Sequence, residues 1–390
     1  DSEHPNILYA SAWHRERRAW NFTESGASSG IYKSVDGGNS WELLTKAGSG
    51  FPTGDGVGRI GLAICNAGLY AIVDNQDRRP KEKKESKPHL NKDSLKTMSK
   101  EAFLALDDQL INDYLDDNSF PEKYTAKTIK QLVKADKIKP TALLDYIDNA
   151  NNNLFDTEVV GAEVYFTDDG GRNWKRTHEK YIDDLFYTYG YYFGLIRVSP
   201  ADPKEIYIAG VTVLKSTDGG KNFTSIDADN MHGDFHTIWI DPMRKGHMII
   251  GNDGGLNITY DGGKTYIKCN SPAVGQFYAV NYDNAKPYNV YGGLQDNGVW
   301  CGPSTYKYSD GWHAEGTYPY KFLLGGDGMQ VEVDRRDNNT VYSGFQFGNY
   351  FRIDKTTGEN NYITPQIDLG EKPLRWNWQS PIKLSSFNND

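Results

Sequence analysis

The sequence predicts an all-β fold: a β-propeller of about six four-stranded blades, complete in itself or part of a larger propeller, with a small helical insertion. Three observations predict it. One turn-forming octapeptide recurs, its copies lie at the spacing of propeller blades, and the composition favours strands and turns. The 390 residues include 40 Gly and 26 Tyr, which is typical of short strands joined by many turns.

The octapeptide has the pattern Ser/Thr-x-Asp-Gly-Gly-x-x-aromatic. It occurs four times, at residues 34–41, 167–174, 216–223 and 259–266. Its aspartates are separated by 133, 49 and 43 residues. Periods of ~40–50 residues fit four-stranded blades, and the long first interval fits one blade that holds roughly 80 extra residues.

The octapeptide has the chemistry of a tight turn. Its two glycines allow positive φ angles, and its Asp and Ser/Thr side chains can bond to the backbone of the turn. We therefore predict a structural role for its aspartates, which are Asp36, Asp169, Asp218 and Asp261.

Strand-like segments recur at fixed places around the octapeptides. The first strand of each blade, A, is predicted at residues 58–64, 193–199, 236–242, 277–283 and 329–335. The second strand, B, is predicted at residues 7–13, 68–74, 205–211, 247–253, 289–295 and 340–346. Strands C and D flank the octapeptide turn, so the chain begins with strands B to D of one blade and continues through five more.

The last strand is predicted at residues 376–385, which read as another strand A. It can complete the first blade by pairing with residues 7–13, which closes a ring and removes exposed edges. Alternatively, the chain is an open arc that continues in blades outside it. We favour the arc.

A helical insertion at residues 78–157 separates propeller blades at 1–77 from blades at 158–390. It opens with a charge run at residues 78–87, which is predicted to be a solvated linker. Apolar residues at helical spacing then predict three short amphipathic helices. Their core positions are Phe103, Leu106, Leu110 and Tyr114, then Ile129, Leu132 and Val133, then Leu143, Leu144 and Ile147.

Composition and missing motifs exclude several functional classes. The net charge of −9 comes without a basic cluster on a repeated element, which argues against nucleic acid and anionic membranes as partners. No apolar run reaches the length of a transmembrane helix. Three cysteines and no CxxC pattern exclude a disulfide framework and that type of zinc site. The sequence has no phosphate loop and no HExxH.

Four aspartates are predicted to converge at one end of the central channel around which the propeller blades are arranged. Residues just before strand A and just after strand B share this end, whereas the octapeptide turns lie at the other. The candidates for catalysis are Asp234, Asp253, Asp296 and Asp327. Crowded carboxylates raise one another's pKa, as a general acid needs, and oxygen-rich clusters bind Ca²⁺. Aspartates also cap Gly-rich turns, so acid–base, cation-binding and structural roles all stay open.

The same end is rich in aromatic, arginine and amide side chains. Aromatic faces bind sugar rings or peptide side chains, and arginine pairs with carboxylates. Histidine titrates near neutral pH, so a histidine that begins a strand A is a candidate as well. The predicted ligand-binding residues are Trp13, Arg18, Trp20, Arg59, Tyr192, His236, Gln295, Asn297, Trp300 and Gln346. Packing between blades is the alternative role for these side chains.

The octapeptides resemble the Asp-box repeat of bacterial neuraminidases. Nearly the whole chain also resembles the large sortilin-like (VPS10-type) propeller proteins of bacteria, which are often labelled glycosyl hydrolase-like. The segments that carry this resemblance include GNDGGL, GGLQDNG, GGDGMQVEVD and RWNWQSPI. The insertion at residues 78–157 lies outside it. Such proteins are longer and usually exported, so the resemblance implies an internal segment of a longer chain.

The repeat style is also similar to that of xyloglucan-cleaving glycosidases built from two propellers, in which two aspartates face each other across a cleft. By motif, Asp253 is the closest match and Asp296 a weaker one. One propeller cannot supply both walls of such a cleft. A sialidase resemblance fails, because no arginine triad with a Tyr–Glu pair can be assigned. Sortilin propellers bind peptides and proteins.

Two functions follow from these residues and resemblances. The first is an exported propeller, secreted, periplasmic or on the cell surface, that binds a protein, peptide or glycan on the channel end that holds the four aspartates. A larger cell-envelope or secretion assembly is a further expected partner. The second is a glycoside hydrolase that uses two of these aspartates on a β-glucan-type polysaccharide. No cofactor is expected, apart from the Ca²⁺ alternative.

Overall fold

The computed structural model describes residues 1, 3–80, 90–147, 159–229, 231–269, 275–307, 309, 311, 319–372 and 374–387. The chain forms two compact units. The first comprises residues 1–80 and 154–274, and the second comprises residues 81–153 and 275–390. Most of the predicted charge run, and the predicted end of the insertion at residues 148–157, lie outside the described residues.

The first unit contains four blade-like antiparallel sheets. The first sheet has three strands, β1 (Leu8–Ala12), β4 (Gly30–Ser34) and β5 (Glu42–Leu43). The second has β6 (Val57–Cys65), β7 (Gly68–Arg78), β8 (Val159–Thr167) and β9 (Lys175–Arg176). The third has β10 (Leu195–Ser199), β11 (Asp202–Ala209), β12 (Val213–Ser216) and β13 (Thr224–Ser225). The fourth has β14 (Phe235–Ile240), β15 (Met248–Asn252), β16 (Gly255–Thr259) and β17 (Ile267–Cys269).

Neighbouring sheets of the first unit pack through their first strands: β1 contacts β6, β6 contacts β10, and β10 contacts β14. Buried apolar residues fill the space between successive sheets. Ile31 and Leu44 of the first sheet, for example, share a core with Leu69 and Val73 of the second. Face-to-face packing of consecutive four-stranded sheets is the arrangement of propeller blades.

The second unit contains two further blades and the helical insertion. The fifth blade has β18 (Phe277–Tyr282), β19 (Asn289–Leu294), β20 (Gly298–Pro303) and β21 (Lys321–Leu324). The sixth has β22 (Val331–Val333), β23 (Thr340–Phe345), β24 (Asn349–Asp354) and β25 (Asn360–Tyr362). Their first strands contact each other. The predicted fold, an all-β chain of propeller blades with a helical insertion, is therefore confirmed.

The five helices whose bounds the structure describes lie within the insertion. They are α1 (Lys92–Thr97), α2 (Lys100–Leu104), α3 (Asp108–Asp117), α4 (Ala126–Lys134) and α5 (Ala142–Ile147). Their apolar faces share one core, which includes the fully buried Phe103, Ile111, Ile129 and Leu143. The insertion leaves from the second strand of its blade, β7, and returns to the third, β8.

One sequence prediction about these helices is wrong, and one helix was missed. The helix expected from Phe103 to Tyr114 is split in two, because the carboxylate of Asp107 accepts a hydrogen bond from the amide of Gln109 and begins α3. Such a cap needs non-helical backbone. α1 was not predicted.

Residues 376–385, predicted as a strand A, form no strand. This segment lies along the sixth blade through isolated contacts. The amide of Ile382 donates to Oε1 of Gln330 at 3.1 Å, Lys383 pairs with Glu332, and the carbonyl of Trp378 accepts the amide N–H of Phe347 at 3.2 Å. Because these contacts do not repeat along the backbone, the segment forms no ladder.

The structure also adds a hairpin that the sequence did not predict. Strands β2 (Glu16–Arg18) and β3 (Asn21–Thr23) pair with each other and lie between β1 and β4 in the sequence, outside the sheet that those two strands form. Every residue of β2 is exposed, so the segment lacks the apolar alternation by which strands are recognised.

Candidate functional site

In each octapeptide turn, the aspartate accepts hydrogen bonds from other residues of the same turn. In the third blade, Oγ of Ser216 donates to the Asp218 carboxylate at 2.8 Å. The amides of Lys221 and Asn222 donate to the same oxygen at 3.0 Å each. Donors from the side chain and backbone of Asn222 lower the pKa of Asp218 to about 2. Corresponding amide and hydroxyl donors surround Asp36, Asp169 and Asp261.

In the third and fourth blades, this turn lies beside the segment that leads from the first strand into the second. The amide of Gly219 donates to the carbonyl of Lys204, and the amide of Gly262 donates to that of Gly246. In the fourth blade, Asp261 therefore lies at one end of the sheet. Asp234 and Asp253 flank β14 and β15 at the opposite end.

A histidine–aspartate pair occupies that opposite end of the fourth blade. Nε2 of His236 lies 2.9 Å from Oδ1 of Asp253. The side chains are 47 % and 27 % exposed, respectively, so both can reach a ligand. The imidazole also stacks on Phe193, with 5.7 Å between ring centroids.

Phe193 links this pair to a larger aromatic surface within the first unit. The preceding residue, Tyr192, is 50 % exposed. The guanidinium of Arg59 donates to the carbonyl oxygens of Tyr191 and Tyr192, at 3.1 and 2.6 Å. The same guanidinium lies over the ring of Trp13. Trp13, Arg59, Tyr192, His236 and Asp253 are thus connected through successive contacts.

The β2–β3 hairpin extends the surface with further cations. The ring of Phe22 packs edge-on against Tyr191 at 4.8 Å. Arg15 lies over Phe22 and Trp13, and Arg17 also lies over Phe22. We call Trp13, Arg15, Arg17, Phe22, Arg59, Tyr191 and Tyr192 the aromatic–arginine surface.

The tip of the hairpin holds two predicted ligand-binding residues. Arg18 pairs with Glu16 on the same strand, and Trp20 is 82 % exposed. An exposed indole beside a cationic surface is free to pack on a bound partner.

Asp234 has a different environment from Asp253. Its φ of +60° lies in the left-handed region, and its amide donates to the carbonyl of Val211 at 3.1 Å. Aspartate tolerates this backbone better than most residues. The geometry fits the turn-forming role left open by the sequence.

A second connected group of predicted residues lies in the second unit. The buried carboxylate of Asp327 accepts a hydrogen bond from the amide of Asp296 at 2.9 Å. The amide of Asp327 donates to Oε1 of Gln346 at 3.4 Å. Asp296 has a φ of +58° and belongs to the β19–β20 turn.

The other residues of this turn bond to one another. Nδ2 of Asn297 donates to the carbonyl of Gln295 at 3.0 Å, and the Gln295 side chain accepts a bond from the Tyr278 hydroxyl. The indole of Trp300 donates to the carbonyl of Asn297 at 2.6 Å. Much of this group's bonding capacity therefore holds the turn in place.

Sequence reasoning missed Asp74, a fully buried carboxyl group at the end of the apolar run in β7. Its Oδ2 accepts a bond from Gln76 at 2.8 Å, while its Oδ1 has no donor among the described residues. Burial raises the pKa of Asp74 to about 7, although the hydrogen bond from Gln76 acts to lower it. The charge of Glu24 adds to the rise. The strand-end rule that selected Asp253 would also have selected Asp74.

Asp74 supports the aromatic–arginine surface from below. A Cβ atom on Gly190 would overlap the Asp74 carboxyl group, so the backbone next to Tyr191 lies directly on it. Burial also raises the pKa of Glu24, whose backbone carbonyl accepts the indole N–H of Trp13. Two acids of raised pKa therefore underlie the exposed rings.

The described residues hold no group of three or more His, Cys, Asp or Glu side chains arranged to bind a metal ion. Within the same residues, no helix has both the length and the apolar character that crossing a bilayer would require.

No family model and no curated protein matches the chain. Among solved structures, it is similar to a GH74 xyloglucanase from Xanthomonas campestris at 11% identity and a TM-score of 0.33, over 92% of this chain and 47% of that one. A GH74 enzyme from Niastella koreensis is 14% identical at a TM-score of 0.26, over 52% of this chain and 34% of that one. The structure of YCF48 bound to D1 peptide is 9% identical at a TM-score of 0.31, over 90% of this chain and 83% of that one.

The chain thus spans less than half the length of these two GH74 enzymes.

Proposed function

We propose that the protein is an exported propeller that binds an acidic segment of a protein or peptide on its aromatic–arginine surface. One observation carries the proposal: arginines and aromatic rings form a connected surface in a chain whose net charge is −9. Arginine binds carboxylates in bidentate geometry, and aromatic faces pack on side chains. The partly exposed His236–Asp253 pair lies at the margin of this surface and adds polar contacts.

The test is a peptide array that varies in acidic and aromatic content, probed with the folded protein. We expect retention of acidic peptides, weakening with added salt because ion pairs at an exposed surface are screened. Arg59→Ala and Arg17→Ala should reduce retention. Arg352→Ala, an exposed arginine of β24, is the charge-matched control and should not. Equal retention by all four proteins would refute the proposal.

Glycoside hydrolysis is a second candidate, supported by the contact between the loops of Asp296 and Asp327. Paired carboxyl groups are the machinery of most glycosidases. The test is turnover of a panel of β-glucan oligosaccharides. Cleavage that Asp296→Asn, Asp327→Asn or Asp253→Asn abolishes supports the enzyme. Peptide retention without turnover supports the binding function.

A further inference from the structure

Residues 368–371 form a tight turn on the surface of the helical insertion. The amide of Glu371 donates to the carbonyl of Asp368 at 3.0 Å. The Glu371 carboxylate accepts a bond from the amide of Asp368 at 2.9 Å. This Asp-Leu-Gly-Glu turn follows the last strand of the sixth blade and belongs to no sheet.

Two adjacent residues of the insertion recognise the polar groups of the turn. The Tyr124 hydroxyl donates to the Asp368 carboxylate at 3.2 Å and accepts the amide N–H of Leu369 at 2.9 Å. Lys123 forms an ion pair with the same carboxylate. The rings of Phe120 and Tyr146 pack against Tyr124, which fixes its hydroxyl group in position.

The apolar part of the turn enters the helical core. Leu369 is 8% exposed and belongs to the same buried cluster as Leu143 and Ile138. Gly370 has a φ of +93°, and a Cβ atom there would lie 2.5 Å from Cγ2 of Ile138. A larger residue at this position would not fit. The first three turn residues therefore make three different contacts: a polar one through Asp368, an apolar one through Leu369, and a close backbone approach at Gly370.

We call the surface of the insertion that contacts this turn, formed by Lys123, Tyr124, Ile138 and Leu143, the groove. It continues beyond the turn. A cavity of about 280 Å³ lies beside it, lined on the insertion side by Lys137, Lys139, Asp145 and Tyr146. The turn segment therefore fills only part of the concave surface, and charged side chains are available next to it.

We propose that the helical insertion is a recognition module for an Asp-Leu-Gly-Glu turn in a partner polypeptide, and that residues 368–371 occupy this groove in cis. The seated segment itself defines the ligand: an acidic residue for Lys123 and Tyr124, a leucine for the core, and a glycine against Ile138. This groove shares no residue with the aromatic–arginine surface, and the proposal does not depend on that surface.

The test uses the full chain and a fluorescein-labelled peptide of residues 365–373, PQIDLGEKP. In the wild type, the tethered segment competes at a high effective concentration, so the peptide should bind weakly. The variant Asp368→Ala/Leu369→Ala empties the groove. We expect it to bind the peptide about tenfold more tightly or better, as measured by fluorescence anisotropy.

Matched variants identify the groove. Added to the emptied variant, Tyr124→Phe or Lys123→Ala should weaken binding, whereas Lys127→Ala, an exposed lysine of α4, should not. A peptide with Ala in place of Leu should not bind. If circular dichroism shows that the double variant does not fold, the variant Gly370→Ala is used instead, because it displaces the segment with a smaller change.

Three results would overturn the proposal. They are a folded, emptied variant that does not bind the peptide, equal binding of the Ala-substituted peptide, and self-association of the emptied variant without peptide binding. The last result would point to a second copy of the chain as the occupant.

Discussion

Asp74 is a carboxyl group that folding keeps from ionising. It is fully buried, and among the described residues only Gln76 donates to it from a side chain. The folded chain therefore holds this proton up to about pH 7, whereas the unfolded chain releases it near pH 4. Between these values the folded state binds more protons, so stability falls as the pH rises through this window and the loss is complete above it.

Asp74→Asn should remove this pH-dependent loss. We expect the variant to exceed the wild type in free energy of unfolding at pH 8 by up to roughly 3–4 kcal/mol, with the advantage shrinking toward pH 4. Urea unfolding at both pH values measures it. Asp55→Asn, at an exposed position, is the control. An advantage that is the same at pH 4 and pH 8 would contradict the assignment.

Ser216 makes three hydrogen bonds in one turn. Its hydroxyl donates to the Asp218 carboxylate, and it accepts the amide N–H groups of Gly220 at 2.9 Å and of Asp218 at 3.3 Å. Ser216→Ala should therefore lower the free energy of unfolding by about 1–3 kcal/mol, because a buried amide loses its acceptor. Lys221→Ala, an exposed side chain of the same turn, should change it by less than about 0.5 kcal/mol. Thermal unfolding of the three proteins decides.

At the scale of elements, neighbouring blades meet where β6 approaches the start of β10. A Cβ atom on Gly61 would overlap the carbonyl oxygen of Gly194. Gly61→Ala should thus force these strands apart and cost about 1–3 kcal/mol by overpacking. Gly325→Ala, where the added methyl group has room, is the matched control. Equal urea midpoints for both variants would argue against this close contact.

Blade strands were predictable because their apolar runs end in turn residues at a regular spacing. Elements held by side chains were not. The β2–β3 hairpin is charged throughout β2, and its stability comes from ring contacts such as Phe22 with Tyr191. Residues 376–385 have strand composition, but no backbone ladder holds them.

The candidate site divides in the same way. The strand-end rule selected Asp253, and the structure pairs it with His236. The rule could not show that Asp296 and Asp234 occupy left-handed turn positions, because such backbone angles depend on the loop as a whole. Nor could it show that Arg59 reaches the carbonyl oxygens of Tyr191 and Tyr192, which lie more than 130 positions away.

Across the whole molecule, three thiols differ in access. Cys301 is 4% exposed, and burial raises the pKa of its thiol. Cys65 and Cys269 are less buried. Because the thiolate is the reactive form, we expect a disulfide reagent such as DTNB to label Cys65 and Cys269 in the native protein. Cys301 should react only on unfolding, and a Cys301→Ser variant identifies its signal. Three equally fast thiols would contradict this.

The point where the insertion joins its blade is a site at which one domain can be exchanged for another. Arg78, the last residue of β7, pairs directly with Val159, the first residue of β8. Paired strands lie ~5 Å apart, so a two-residue turn spans the same gap that the native chain bridges with a whole helical module. A gene cassette placed between these two codons can therefore replace the module by a short hairpin or by another domain with adjacent termini, while the surrounding blade keeps its register.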